Sequence, residues 1–179
     1  MLLIAERGID GTSMDAIAEV SGVSKATIYK HWKDKEELLM EVMAELSGLH
    51  TRPAFNSGDT RADMVAVLSY QPQEQRDLRE RITPHFVAYG ARNPAFGAAW
   101  RSRVMEPPRR ELNSLLTSGI KKGEFPRALD LELSLYLLLG PMLYWYVFRK
   151  NTGEDARPLA EGVVDAFWRA YGKKTPDSK

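Results

Sequence analysis

Apolar positions along this chain recur at three- and four-residue spacing, and no stretch alternates apolar and polar in the manner of a strand, so the pattern predicts an all-α protein. The first elements are short. Leu3 and Ile4 mark a stub of two turns at most before Gly8. Thr12 as N-cap, with Asp15 three residues on, opens a helix over Ser13 to Val20, which Ser21-Gly22 ends. Ser24 then caps a second helix from Lys25 to Trp32. Two helices cross closely when a contact residue is small, the turn admits positive φ and the inner faces are apolar. Ala18, Gly22, Val23 and Ile28 meet those needs in order, which makes the pair a helix-turn-helix, with Leu3 and Ile4 expected to cover Ile17 and Ile28.

Downstream, Glu36 to Gly48 is amphipathic through Leu38, Leu39, Val42, Met43 and Leu46, and residues 51–59 hold turn formers. The pattern therefore divides the chain into a head over 1–48 and a helical body over 49–179. The body continues with a helix carrying Met64, Val67 and Leu68, then one from Glu74 to Ala91 kinked at Pro84. Asn93-Pro94 starts another, which meets Pro107-Pro108, resumes and stops at Gly123. Asp130 caps a helix from Leu131 to Arg149, the Asn151-Thr152-Gly153 turn follows, and a last helix covers Asp155 to Tyr171. The helix from Leu131 is apolar on more than one face, which a monomer's surface tolerates poorly. Leu137, Tyr144, Val147 and Phe148, with Val163 and Phe167 on the final helix, are candidates for an isologous homodimer interface, and an intrachain core is the alternative.

Charge refines the picture locally. The whole chain has a formal charge of only +1, but residues 25–35 hold four lysines against the single acid Asp34. With Ile28 and Trp32 facing inward, Lys30 points outward with Ala26 and Thr27 beside it, Tyr29 lies at one edge, and His31 at the other. Such a strip attracts phosphates. Residues 1–50 nevertheless carry five basic and nine acidic side chains, because Glu36, Glu37, Glu41 and Glu45 load the connecting helix.

The run from Thr12 to Lys35, followed by Lys-Glu-Glu-Leu-Leu at 35–39, resembles the TetR family of bacterial transcriptional regulators. Ala18, Gly22-Val23-Ser24, Thr27, Tyr29, His31 and Lys35 carry the likeness, over about a quarter of the chain. The resemblance implies a double-stranded DNA operator as partner, with Thr27, Tyr29 and Lys30 facing it. It also implies that Lys35 clamps a phosphate at the start of the next helix, and that Lys25 and Ala26 stand at contact positions. The family's first helix is normally longer and preceded by a basic arm, so either native residues precede Met1 or the two-turn stub serves in place of that longer helix. Leu-Leu-Gly-Pro at 138–141 resembles one of the family's C-terminal subfamilies.

Two heads in a dimer reach two half-sites when their recognition helices stand about 34–36 Å apart, so a small molecule favouring one spacing controls binding, most simply as the effector of a repressor. Candidate effector contacts are His85 as polar anchor with Phe86, Tyr89, Phe96, Trp100 and Met105, joined by Met142 and Trp145. Their chemistry suits an apolar or aromatic ligand, and plain core is the competing reading. An enzyme is not expected: there is no cysteine, no histidine pair at metal-ligand spacing, no glycine-rich phosphate loop and no nucleophile elbow. No cofactor or metal is implied. No apolar run is read as long enough to span a membrane and no signal peptide is seen, which suits a soluble cytoplasmic protein. The alternative function is a helical interaction or ligand-binding protein whose head does not bind DNA.

Overall fold

The computed structural model describes residues 2–72, 74, 76–148 and 154–173, and every regular element among them is helical. In chain order these are α1 (Leu2–Arg7), α2 (Met14–Ser21), α3 (Lys25–His31), α4 (Lys35–Leu46), α5 (Thr60–Ser69), α6 (Arg76–Arg92) and α7 (Pro94–Trp100). A π-helical turn over Arg101–Met105 then leads into α8 (Glu106–Lys122), α9 (Leu131–Phe148) and α10 (Arg157–Tyr171). The expected Asn151-Thr152-Gly153 turn lies outside the described residues.

The helix starts follow their capping chemistry. Ser13 accepts from the Ala16 amide at 3.1 Å, Ser24 from the Thr27 amide at 3.1 Å, Asp34 from the Glu37 amide at 2.9 Å and Asp59 from the Ala62 amide at 3.0 Å. Thr12 is therefore not the cap of α2. Its hydroxyl is buried and donates back to the Gly8 carbonyl at 2.8 Å, which leaves the neighbouring serine free to cap. Asp130 opens α9 as expected, its Oδ1 accepting from the Leu133 amide at 3.0 Å.

The chain packs as two compact units, one of Met1–Arg52, Gln71–Glu106 and Tyr146–Thr152, the other of Pro53–Tyr70, Pro107–Trp145 and Gly153–Lys179. This grouping by packing differs from a division at 48 and 49, which separates roles along the chain. In the first unit, Met14, Ala18, Ile28 and Leu38 form a small core beneath α2 and α3, with Ile17, Trp32 and Val42 packed against it. A larger core joins Ile4 and Ile9 to Leu39, Met40, Met43 and Leu46 of α4, Ile82 and Phe86 of α6, Phe96 and Trp100 of α7, and Val104. The α4 helix thus feeds both cores, Leu38 to one and Leu39 to the other. Ile4 belongs with α6 rather than over Ile28, because α1 lies along α6 and Met14 and Leu38 already close the small core.

In the second unit α5 packs on α10. Met64, Val67 and Leu68 of α5, Leu112 and Leu116 of α8, and Leu135 and Leu138 of α9 are buried there, along with Val164 and Phe167 of α10. Phe125, from the connection after α8, fixes the orientation of α10: its ring meets Phe167 at 5.7 Å and Trp168 at 4.7 Å between centroids. An ion pair between Arg61 and Asp165, and Lys122 donating to the Gly58 carbonyl at 2.7 Å, close the edges.

The hydropathy of α9 exceeds the sequence reading. Its 18 residues, at a mean hydropathy of 1.4, are long and apolar enough to cross a membrane by length and composition. Gly140-Pro141 interrupts the run by eye, yet the helix passes through both residues and carries a single charge, Glu132.

Candidate nucleic-acid interface

The joint between α2 and α3 rests on Gly22, whose φ of 70° is a left-handed conformation that a side chain makes costly. A Cβ added there meets nothing within 4 Å, so the glycine is required by the backbone angle and not by space. Replacing Gly22 with alanine is expected to lower stability by about 1–2 kcal/mol, measured by urea unfolding, while asparagine costs less. Beside it Ala18 and Ile28 are buried, but Val23 is 40% exposed and contributes less to the joint than the pattern suggests.

With Ile28 inward, α3 presents Lys25, Ala26, Thr27, Tyr29, Lys30 and His31 to solvent. Thr27 Oγ1 and Ser24 Oγ are 2.8 Å apart, so the two hydroxyls hold one another in place while remaining exposed. Tyr29 is 51% exposed. Lys25 pairs with Asp15 at 2.9 Å across the turn, an exposed bridge that a phosphate can replace at little cost. The expected strip is therefore assembled as a surface. It is supported from behind by Trp32, whose Nε1 donates to Glu41 Oε2 at 2.7 Å.

Lys35 is placed differently from the expectation of a phosphate clamp. Its Nζ donates to the Ile9 carbonyl at 2.7 Å and to the Thr12 carbonyl at 2.8 Å, and lies 5.9 Å from the centre of the Tyr89 ring. Two of its three donors are thus committed to the protein, fastening the α1–α2 connection onto the start of α4. The neighbouring acids also turn inward to structural tasks. Glu37 Oε2 accepts from the Lys33 amide at 2.9 Å, and Glu36 Oε1 accepts from the Tyr89 hydroxyl at 2.9 Å. Burial, followed by the hydrogen bond to Glu36, pushes the Tyr89 hydroxyl up to about 12, so it stays a donor throughout the neutral range. Arg92 at the end of α6 pairs with Asp10 at 2.5 Å. The reading strip is consequently tied to α6 through α4 and the α1–α2 connection. Sequence reading missed these ties, although Asp34 followed three residues later by Glu37 is a capping signal that marks the start of α4.

The other candidates separate. His85, Phe86, Tyr89, Phe96, Trp100 and Met105 belong to the first unit, Met142 and Trp145 to the second. Phe86, Phe96 and Trp100 are buried in the larger core, with the Tyr89 and Phe96 rings edge to face at 4.8 Å. A cleft of about 170 Å³ in the first unit is lined by Lys33, Glu37, Phe96 and Arg103, and a groove of about 520 Å³ in the second by Phe55, Pro107, Arg110 and Leu115. Phe96 is the one effector candidate lining either. Of the interface candidates, Leu137, Tyr144 and Phe148 are exposed and Val147 and Val163 half-buried. Phe167 is buried at 4% exposure, because Phe125 covers it from within the same unit, and so does not belong to an exposed interface.

A glycine-jointed pair of short helices with a basic, hydroxyl-bearing outer strip defines a helix-turn-helix DNA reader. Residues 1–42 match the family of bacterial regulatory proteins named for tetR, and residues 55–167 match the tetracyclin repressor-like C-terminal domain. The chain belongs to the TetR family of bacterial transcriptional regulators, with a DNA-binding N-terminal region, and is not an enzyme. It is 30% identical over 165 residues to the HTH-type transcriptional regulator YdeS of Bacillus subtilis, spanning 92% of this chain and 82% of that one. It is 26% identical over 178 residues to the HTH-type transcriptional repressor KstR2 of Rhodococcus jostii, spanning 94% and 81%. The fold is shared with the TetR family regulator PfmR of Thermus thermophilus at a TM-score of 0.67 and 22% identity, over 93% of each chain.

Proposed function

We propose that the protein is a repressor that binds its operator as a homodimer and releases it when a small molecule binds the helical body. The observation that carries the reading is the outer side of α9. Leu133, Tyr136, Leu137, Leu143, Tyr144 and Phe148 are all exposed there, at 37–69%. Leu133, Leu137, Gly140, Tyr144 and Phe148 follow one another at four-, three-, four- and four-residue steps, which aligns them along one face. A stripe of this size left in water favours association, and a second copy of the same helix covers it with a self-complementary surface. Two relatives named as repressors, KstR2 and the TetR repressor of Mycobacteroides abscessus, support the sign of regulation. Action on DNA places the protein in the bacterial cytoplasm.

In this reading Thr27, Tyr29, Lys30 and His31 enter the major groove, Lys25 and Ala26 approach the backbone, and Lys35 holds the head to α4 beside them. The test is sedimentation together with binding to genomic fragments selected by the parent protein. The parent is expected to be a dimer at micromolar concentration. Tyr144→Arg buries a charge at the centre of the stripe, and is expected to give a folded monomer with fragment binding weakened by about a hundredfold or more. A parent that sediments as a monomer while binding DNA overturns the two-headed reading.

A further inference from the structure

One face of α8 and the segment ahead of α5 enclose the groove of about 520 Å³ in the second unit. Pro107, Glu111 and Leu115 recur at four-residue steps along α8, a run of about 12 Å, with Arg110 and Ser114 in the row beside them. Phe55 and Asn56 stand on the opposite wall. That wall is fastened in place. The Ser57 amide donates to Oδ1 of the buried Asp63 at 3.1 Å, Lys122 donates to the Gly58 carbonyl at 2.7 Å, and the Phe55 ring meets Tyr70 edge to face at 5.8 Å. The half-buried Phe55, Pro107 and Leu115 give the groove an apolar lining, and its volume lies in the range of small-molecule sites, roughly 300–1,000 Å³. Its rim is polar. Asn56, Arg110 and Ser114 are exposed, and their side chains form no hydrogen bond or ion pair among the described residues. Thr117 and Ser134, by contrast, each donate back along their own helix.

We propose that this groove seats the effector and that the effector is an amphipathic carboxylate, its apolar chain lying along Phe55, Pro107 and Leu115 and its charged end on Arg110. The inference rests on the ligand-responsive reading above and gives that ligand a place and a charge. A guanidinium fork matches a planar carboxylate with two parallel hydrogen bonds, and the Ser114 hydroxyl and Asn56 amide add donors on either side. Glu111 lines the same groove and is engaged within the protein, so Arg110 supplies the charge open to a ligand. One guanidinium with an acid nearby suits a monoanion. A phosphate dianion there faces the Glu111 carboxylate with no second cation in the lining. Both walls lead along the chain to the helix that carries the head. Phe55 follows the end of α4 at Leu46 through a short connection, and Pro107 follows the π-helical turn, which itself packs on α4. A ligand that fixes the two walls against each other thus acts on both connections to α4.

Decanoate, decanol and decylamine, titrated calorimetrically into the whole chain, test the proposal. Decanoate is expected to bind at least about tenfold more tightly than decanol, and decylamine no more tightly than decanol. Arg110 is exposed, so Arg110→Met is expected to fold as the parent does while reducing decanoate to the level of decanol. Arg110→Lys is expected to recover part of the difference. Leu115→Asn is expected to weaken decanoate and decanol alike, and Arg103→Met, in the cleft of the first unit, to change neither. Equal binding of decanol, a preference for decylamine, no binding of decanoate, or a preference that survives Arg110→Met or is lost with Arg103→Met overturns the site. Release of the selected genomic fragments, followed in parallel, keeps the two readings apart. Decanoate that releases DNA from Arg110→Met as readily as from the parent leaves ligand response standing and removes this site from it. Decanoate that binds through Arg110 and leaves DNA bound retains the carboxylate site and removes the response.

Discussion

Gly97→Val is expected to unfold most of the first compact unit under conditions where the parent is fully folded. A Cβ at position 97 meets the Gly90 carbonyl oxygen at 2.6 Å and its carbonyl carbon at 3.2 Å, so α6 and α7 cross backbone against backbone. No flexible side chain is available to yield. Relief requires the helices to part, and Phe96, which meets Phe86 at 5.7 Å and Tyr89 at 4.8 Å, is packed across the same crossing. Overpacking a core costs about 1–3 kcal/mol. Valine adds two further methyls and a β-branch, and so is expected to lose roughly 3 kcal/mol or more, much of a total stability of about 5–15 kcal/mol. Gly90→Ala provides the contrast. Its Cβ stands 3.3 Å from Gly97 Cα, a small encroachment that the helix preference of alanine, about 0.5–1 kcal/mol, nearly offsets. Urea unfolding followed by circular dichroism separates the two. Equal stability of Gly97→Val and Gly90→Ala disproves the close crossing.

What could be read in the sequence was set by single positions, and what could not was set by which partner each side chain meets in the fold. Gly22, Ser24 and Ile28 announce the helix-turn-helix because angle, cap and buried face are properties of single positions within one short segment. Thr12 and Ser13 are adjacent hydroxyls, and only the Gly8 carbonyl, which engages Thr12, settles which of them caps α2. Phe167 shows as apolar on α10, but the ring that covers it comes from Phe125, more than forty residues earlier in the sequence. Arg79 looks like part of a solvated helix start, yet it is buried, and the Tyr146 ring 5.5 Å from its guanidinium belongs to a helix far along the chain. Lys35 combined both cases. Its charge was evident, while the carbonyls it binds belong to Ile9 and Thr12.

That placement separates Lys35 from Lys30 experimentally. Lys30→Ala is expected to weaken binding to the selected DNA and to reduce the slope of log affinity against log salt by about 0.9, since an exposed lysine on the outer strip releases one counterion per phosphate it neutralises. Stability should barely change, as surface substitutions commonly stay within about 0.5 kcal/mol. Lys35→Ala is expected to do the reverse. It leaves the Ile9 and Thr12 carbonyls without their charged donor, and hydrogen bonds to charged groups contribute about 1.5–3 kcal/mol. Loss of that tie frees the α1–α2 connection from α4 and lets the reading strip reorient, so affinity falls through a less ordered head while the salt slope stays near the parent's. Unfolding and salt titration on the same pair of variants give the two axes directly. A flattened slope with unchanged stability in Lys35→Ala assigns its ammonium to a phosphate, and makes the two internal hydrogen bonds a feature of the DNA-free protein alone.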